Sequence, residues 1–428
     1  MTFLFILAVL LVLLIIGVPV AFSLLASSLL YFLAQPGLDM IVPQRLLGAL
    51  DSFPLLAVPF FVLAGTIMAR GGIADQLIGF CNLLVGRFRG GLAQVNVLNS
   101  FLIGGMSGSA SADAAIDSKV LVPVMRRKGY SNGFASALTA ASSTLSPILP
   151  PSISLIIYGV MTNVSIGDLF IAGYVPAVLI GVSMMVTVYV ISRKRGYGRS
   201  MDGAPAARVL LREAWKAMPA LLMPVVLLVG LRLGVFTPTE LGAVAVVYAL
   251  LVSVVVYKAF TWRDLLDVLK EAAGTTAMIM LIISAASAFG LVVVYERVPN
   301  QIKSVLESME LTPLAFLLIV NISLLVLGMF MEGLSLMIIL IPVLAPVAFA
   351  VGVDPVHFGL LLVLNFTIGA VTPPIGTVVF TVSSITKVKL TELTREFLPF
   401  FFVLVGILMV LTLLPDVVTW LPRLWKAG

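Results

Sequence analysis

Displaced by 223 residues, the chain falls onto itself at its helix-breaking positions: Gly105 on Gly328, Pro123 on Pro346, Gly129 on Gly352, Thr144 on Thr367, Pro150-Pro151 on Pro373-Pro374 and Pro176 on Pro399. Upstream, Gly65 and Gly290, with Gln76 and Gln301, keep step at 225, an offset that a two-residue insertion explains. The recurrence reads as a duplication, so whatever the first half folds into, the second folds into as well. Most of the recurring residues are glycines and prolines inside apolar segments. Each half therefore interrupts its helices at matching places, and such paired interruptions are the sequence mark of a ligand or ion site between repeats.

The solvent of those segments is lipid. Of 428 residues, 61% are hydrophobic and 11% charged, and the apolar runs exceed the ~20 residues that a bilayer-crossing helix needs. The expected fold is an all-α polytopic membrane protein surrounded by the lipid bilayer; the short alternating segments of a β-barrel are not visible. The opening run, apolar to about Ala34 without a preceding basic stretch, is too long for a signal peptide's apolar core and predicts a retained spanning helix. Cys81, the single cysteine, lies in an apolar stretch and reads as a small core residue. The net charge of +6 does not point to nucleic acid, because the arginines and lysines stand at the ends of apolar runs, where they set orientation.

Three basic clusters, Arg87 with Arg89, Arg126-Arg127-Lys128, and Arg193-Lys194-Arg195 with Arg199, are cytoplasmic by the positive-inside rule. Residues 90–125 start and end on that side and break at Gly104-Gly105-Met106-Ser107-Gly108-Ser109. That pattern predicts a re-entrant hairpin, with two short complete spans as the alternative. The chain then crosses outward over about 131–158 and returns over about 168–192. In the second half the corresponding hairpin, about 313–346, breaks at Gly328-Met329-Phe330-Met331-Glu332-Gly333, and the loop that follows carries no basic residue, so it opens to the outside. A crossing over about 354–381 leads back to Lys387, Lys389 and Arg395, and about 397–421 runs outward. A helix over about 218–233, within a linker at 193–239, supplies the inversion between a first repeat, 1–192, and a second, 240–428. With spans at 240–258 and 273–294, the expectation is nine full spans and two hairpins, the N-terminus inside and the C-terminus outside. Residues 35–52 and 259–272 read as interfacial helices.

Backbone that leaves helical geometry at membrane depth has to line a cavity or be buried in protein, and the helix ends it creates carry partial charges. Between Ser142 and Ser152 three prolines remove amide donors, and hydroxyls surround the freed carbonyls, a composition suited to a cation cage. Thr367 to Thr377 makes a similar break around Pro373-Pro374. Each break is expected to face the hairpin tip of its own half, so that carbonyls and tip hydroxyls (Ser107, Ser109, Ser111; Ser335) supply about five or six hard oxygens, a shell suited to Na⁺ without a fixed carboxylate. Proline kinks that only shape packing are the alternative. Four charges fall inside the hairpins. Asp113 and Asp117, four apart, share a helix face, and Lys119 points elsewhere and reaches toward the cytoplasm. Asp113 and Glu332 lie near the tips, within reach of ion, substrate or a helix N-terminus. An enzyme is disfavoured: the single histidine, His357, stands at a helix start and no serine has an evident histidine partner. A channel is disfavoured because tips that meet at a closed midplane suit alternating access better than a continuous pore.

The tip Ser107-Gly108-Ser109-Ala110-Ser111-Ala112-Asp113-Ala114-Ala115, the two double-proline breaks and the layout of essentially the whole chain resemble the large membrane subunit of tripartite ATP-independent periplasmic (TRAP) transporters. Asp117-Ser118-Lys119 departs from that pattern, placing two charges in a hairpin arm expected to carry fewer. The resemblance implies an elevator-type secondary transporter in a bacterial inner membrane, without a cofactor, driven by a sodium gradient. It implies import of a small organic acid: a dicarboxylate, a sugar acid or a keto acid. Two protein partners are implied, a small four-helix membrane subunit and a periplasmic substrate-binding protein, although a stand-alone sodium/dicarboxylate symporter shares the layout without them. Carried onto these positions, one sodium site takes Ser107, Gly108 and Ser109 with Thr144, Pro147 and Pro150. A second takes Gly328, Met331 and Gly333 with Thr367, Gly369 and Thr372. Substrate would lie between the tips against Ser109, Asp113, Ser152, Glu332, Gly333 and Thr377, where helix N-termini aim amides at a carboxylate.

Overall fold

Among the described residues, which in this computed structural model are 3–35, 40–201, 203, 206–308, 312–373 and 376–427, every regular element is helical. Pro374, half of the second double proline, lies outside them. Seven helices among the described residues are long and apolar enough to cross a bilayer, from Phe53–Arg70 to Leu390–Leu413. Nine full spans were expected, and the difference has local causes. The opening run and the two interrupted crossings are each split into helices of 10 to 16 residues, too short to count singly, whereas one of the seven, Gly333–Ala350, is an arm of the second hairpin.

Four other boundaries differ from those the sequence suggests. The opening run is two helices, Phe3–Ile15 and Val20–Leu33, because Gly17 takes a left-handed φ of +86° and Pro19 follows it. Residues 259–272 do not form a separate interfacial element: a capping box, with Thr261 and Asp264 satisfying each other's backbone N–H groups, starts one continuous helix, Trp262–Tyr295. The last crossing, Leu390–Leu413, stops before Pro415, and Pro415–Ala427 is a helix of its own. The linking helix, Ala207–Arg232, also begins earlier than its apolar core implies.

Eight helices build the centre. In the first half these are α1 (Gly91–Ser107), α2 (Ala110–Arg127), α3 (Asn132–Ser142) and α4 (Ile153–Thr162); in the second, α5 (Pro313–Gly328), α6 (Gly333–Ala350), α7 (Pro355–Ala370) and α8 (Thr377–Thr386). The starts of α2 and α6 stand 223 residues apart, as do those of α3 and α7; after the breaks the starts of α4 and α8 stand 224 apart. Polar caps fix where most of them begin. The hydroxyls of Ser109, Ser131, Ser152 and Thr312 accept N–H groups in the first turns of α2, α3, α4 and α5, and the carboxylates of Glu332 and Asp354 do so for α6 and α7. Each cap satisfies an amide that the helix itself cannot pair. The halves interlock, with α2 packed on α8 and α4 on α6. Every residue of α3 after Asn132 is buried, as is every residue of α7 from His357 on.

Hydrogen bonds draw the basic segments to one end of the molecule. Ser200 N donates to Gly86 O (2.9 Å), Gly91 N to Gly198 O (3.2 Å) and Ser131 N to the Tyr197 hydroxyl (3.3 Å). Arg195 pairs with Glu396 at 2.7 Å, Gly133 N donates to Glu392 Oε1 at 2.9 Å, and Asn132 Nδ2 to Thr386 O at 3.2 Å. Away from them, the Tyr158 hydroxyl donates to Pro355 O at 2.7 Å, tying the C-terminal part of α4 to the start of α7.

Candidate functional site

Both hairpin tips press their backbone onto the break of their own half. A β-carbon on Gly108, which turns the first tip at φ +59°, would stand 2.8 Å from Pro151 O, and one on Gly104 would stand 2.9 Å from Ser146 Cα. In the second half a β-carbon on Gly333 would lie 3.3 Å from Phe366 O, and one on Gly328 would lie 2.9 Å from Gly369 Cα. Backbone approaches this close are made where no side chain intervenes.

Between the two tips lies a cavity of about 260 Å³. Four helices begin on it: α2 contributes Ser109, Ala110 and Ser111, α4 Ile153 and Ser154, α6 Gly333 and Leu334, and α8 Thr377 and Val378. Each helix start carries unpaired amides and the positive end of a helix dipole. Pro147, Thr367 and Phe366 line the cavity from the breaks, while Thr275, Met278 and Ile279 of the helix Trp262–Tyr295 form a separate wall. Among the described residues neither lysine, arginine nor histidine lines it. Glu332 is the one charged residue among the described lining, and its carboxylate is engaged as the cap of α6: Oε1 accepts Leu334 N at 3.1 Å, and Oε2 accepts Ser335 N at 2.8 Å and Ser335 Oγ at 2.9 Å.

Of the residues singled out in the sequence, Gly108, Ser109, Ser111, Pro147, Glu332, Gly333, Thr367 and Thr377 meet on this cavity. Ser152 does not. It is fully buried, its hydroxyl donating to Pro147 O (2.5 Å) and accepting Leu155 N (3.2 Å), so the group expected to meet substrate is consumed in shaping the break. Asp113 is also off the cavity, fully buried one turn along α2. Gly328 and Gly369, with Pro150 facing Gly105, lie at the tip-to-break contacts. Ser107, at the end of α1, faces Ser109 N at 3.5 Å, and Met331 is half-buried in the second tip. The hydroxyls of Thr144, Thr367 and Thr372 donate to the carbonyls of Ala141 (2.7 Å), Val363 (2.7 Å) and Ile368 (2.5 Å), which leaves their lone pairs facing away from the helix ladder. Ser154 and Thr275 line the cavity without having been singled out. Ser154 sits two residues beyond a cap, but nothing in the sequence around Thr275 links it to a hairpin 160 or so residues away in the chain.

Behind the first tip a polar chain crosses the core. Asn96 Nδ2 donates to Thr139 Oγ1 (2.9 Å), Ser142 Oγ to Asn96 Oδ1 (2.9 Å), and Ser100 Oγ contacts Ser142 Oγ (2.9 Å) and Asp117 Oδ2 (3.1 Å); Asn99 Nδ2 donates to Asp117 Oδ1 (2.7 Å). The second half has a shorter counterpart, Asn365 to Asn321 (2.5 Å) to Thr412 (2.8 Å). Lys119 is exposed. His357 is buried with Nε2 2.8 Å from Leu411 O, a packing role at the head of α7.

The family model for the DctM component of tripartite ATP-independent periplasmic transporters matches residues 7–417. The chain belongs to the DctM family. Relatives of this DctM-family chain include the sialic acid TRAP transporter large permease protein SiaM of Vibrio cholerae, 41% identical with 96% of each chain covered. The C4-dicarboxylate TRAP transporter large permease protein DctM of Pseudomonas aeruginosa is 39% identical with 93% of each covered, and the 2,3-diketo-L-gulonate TRAP transporter large permease protein YiaN of Escherichia coli is 36% identical with 96% of each covered. The solved YdaH transporter of Alcanivorax borkumensis aligns over 93% of this chain and 97% of its own with a TM-score of 0.65 at 14% identity, a likeness of fold alone. This DctM-family chain is therefore a TRAP-type large permease, a membrane transport protein and not an enzyme.

Proposed function

We propose that the chain is the large permease of a sodium-coupled importer of a small organic acid in a bacterial inner membrane. A small four-helix membrane subunit and a periplasmic substrate-binding protein complete the transporter, and the two halves are inverted repeats whose hairpins and broken helices move together as an elevator. One observation carries the reading: four helix N-termini converge on a cavity whose described lining holds no basic side chain. Amides and dipole ends favour an anion without fixing a counter-charge, which suits cargo that has to be released. A carboxylate is common to the sialic acid, diketogulonate and C4-dicarboxylate named for the relatives. Sodium is assigned to the two tip-to-break contacts, where carbonyls and threonine lone pairs gather without a carboxylate. The end that collects the basic clusters is assigned to the cytoplasm.

Uptake of these acids into proteoliposomes, with sodium replaced by choline and with the binding protein omitted, tests the proposal. Saturable uptake that needs both is expected. Uptake indifferent to sodium would remove the coupling, and uptake undiminished without the binding protein or small subunit would replace the tripartite reading with a stand-alone symporter.

A further inference from the structure

A second cavity, of about 610 Å³, lies on the same two helices as the first. The first takes residues up to Ile279 from the helix Trp262–Tyr295 and up to Met337 from α6; the second begins one turn further along each, at Ile283 and Ile341. It sits at the end away from the basic segments, where α4 finishes and Thr162 and Asn163 reach its rim. Among its described lining one residue is ionisable, Arg45. Arg45 is exposed, and among the described residues its guanidinium forms no ion pair.

Arg45 is fixed to the wall and not to the hairpins. Its helix, Ile41–Leu50, packs on Trp262–Tyr295, and Ser284 Oγ donates to Leu46 O at 2.7 Å. Toward α6 that wall presents Ala286, Ser287 and Gly290, small residues that offer no knob to catch on a neighbour; a β-carbon on Gly290 would meet Pro342 Cβ at 3.3 Å. Met337 and Ala345 stand eight positions apart on α6, as do Ile279 and Ser287 on the wall. A slide of the hairpins over that interval, about 12 Å at the helical rise, would carry the four helix starts away from Thr275 and bring them opposite Ser287 and Arg45.

We infer that Arg45 is the capture residue for the carboxylate of the incoming acid. Its guanidinium meets the cargo when the hairpins stand at the end away from the basic segments, and is left behind as they move toward them. This deepens the proposed function and rests on its elevator movement. Guanidinium and carboxylate match in a two-pronged hydrogen bond, and an exposed pair is loosened by water and salt, so capture does not become trapping. The amides of the four helix starts travel with the anion, whereas a charge at one stop only makes the permease bind more tightly on the side from which its cargo arrives.

The test locks the hairpins at that stop. In a Cys81→Ser background, Gly290→Cys with Leu334→Cys should form a disulfide on oxidation, because an eight-residue slide seats Leu334 where Pro342 now faces Gly290, at a β-carbon spacing close to that of a disulfide. Equilibrium binding is then measured on the purified permease with its copurifying membrane partner and no binding protein. The probe is whichever of radiolabelled sialic acid, succinate and 2,3-diketo-L-gulonate the wild type takes up. Arg45→Gln should weaken binding to the oxidised protein by about tenfold, the size of a charged hydrogen bond, and leave binding to the reduced protein unchanged. Arg45→Lys should restore most of the loss. Raising choline chloride at constant sodium should weaken binding to the oxidised protein with Arg45 and not with Arg45→Gln. Binding to the oxidised protein that is undetectable, or the same with and without Arg45, would overturn the assignment. An equal loss in the oxidised and reduced forms would also overturn it, making Arg45 a structural residue. Failure of the disulfide to form would remove the sliding movement and the capture role with it, while uptake of none of these acids, or uptake indifferent to sodium, would show instead that the proposed function fails.

Discussion

Gly328 and Gly369 meet backbone to backbone: a β-carbon on Gly369 would stand 2.7 Å from Gly328 Cα and 3.0 Å from Gly328 C. No side chain fits between the end of the first hairpin arm and the end of α7, so the second hairpin is seated on its break with no adjustable padding. Gly369→Ala should destabilise the protein by about 1–3 kcal/mol through overpacking. It should also raise the sodium concentration needed for uptake, read from melting curves and sodium titrations. An unchanged melting temperature and sodium requirement would mean that this contact yields easily.

Equivalent threonines stand in the two breaks, each already donating its hydrogen to its own helix. Thr144→Val and Thr367→Val each remove one lone-pair oxygen at constant shape. Loss of a ligand in a dry site should cost roughly 1–3 kcal/mol, or about tenfold in sodium affinity near the middle of that range. If Thr144→Val shifts the sodium dependence and Thr367→Val does not, only the first break binds the ion.

Glu332 is both the cap of α6 and a negative charge on the cavity wall. Glu332→Ala should lower stability by about 0.5–2 kcal/mol, the usual range for a lost N-cap, measured by thermal unfolding of the purified protein. Glu332→Gln keeps part of the cap and removes the charge, so KM for a dianionic acid should fall while kcat changes less. A rise in KM would instead make Glu332 a direct substrate ligand.

Arg127, Lys194 and Gly352 are all exposed. Single cysteines there, in a Cys81→Ser background, should react with an impermeant maleimide from the cytoplasm at the first two positions and from the periplasm at the third. Labelling of Arg89 and Arg127 cysteines from opposite sides would turn the first hairpin into two full crossings.

The all-helical, interrupted membrane fold was legible because glycine and proline act locally: they stop helices whatever surrounds them. The same locality explains the misses. Gly17 and Pro19 divide the opening run, but an average over twenty apolar residues passes across them. Residues 259–272 read as an interfacial segment, yet the helix Trp262–Tyr295 runs on from them unbroken because nothing there interrupts the backbone ladder. Ser109 and Ser152 are both cap serines, and sequence does not separate them; only packing reveals that one opens onto the cavity and the other is spent on Pro147. Asp113 likewise carries the right chemistry for a ligand but lies behind the tip, where no spacing rule could place it.

The wall formed by Thr275, Met278 and Ile279 belongs to a helix outside both hairpins, and this makes the cavity's chemistry depend on where the hairpins stand. Beyond these residues the same face of the helix continues through Ile282 and Ile283. A slide of the hairpins by one helical turn toward those residues, about 5.4 Å, would withdraw the Thr275 hydroxyl and put isoleucine in its place, while every contact made by the four helix starts travelled unchanged. Under the proposed elevator motion that helix would work as a graduated rail: cargo would feel a wetter wall at one stop and a greasier one at the next, and its grip would loosen in transit without any rearrangement of the hairpins that hold it.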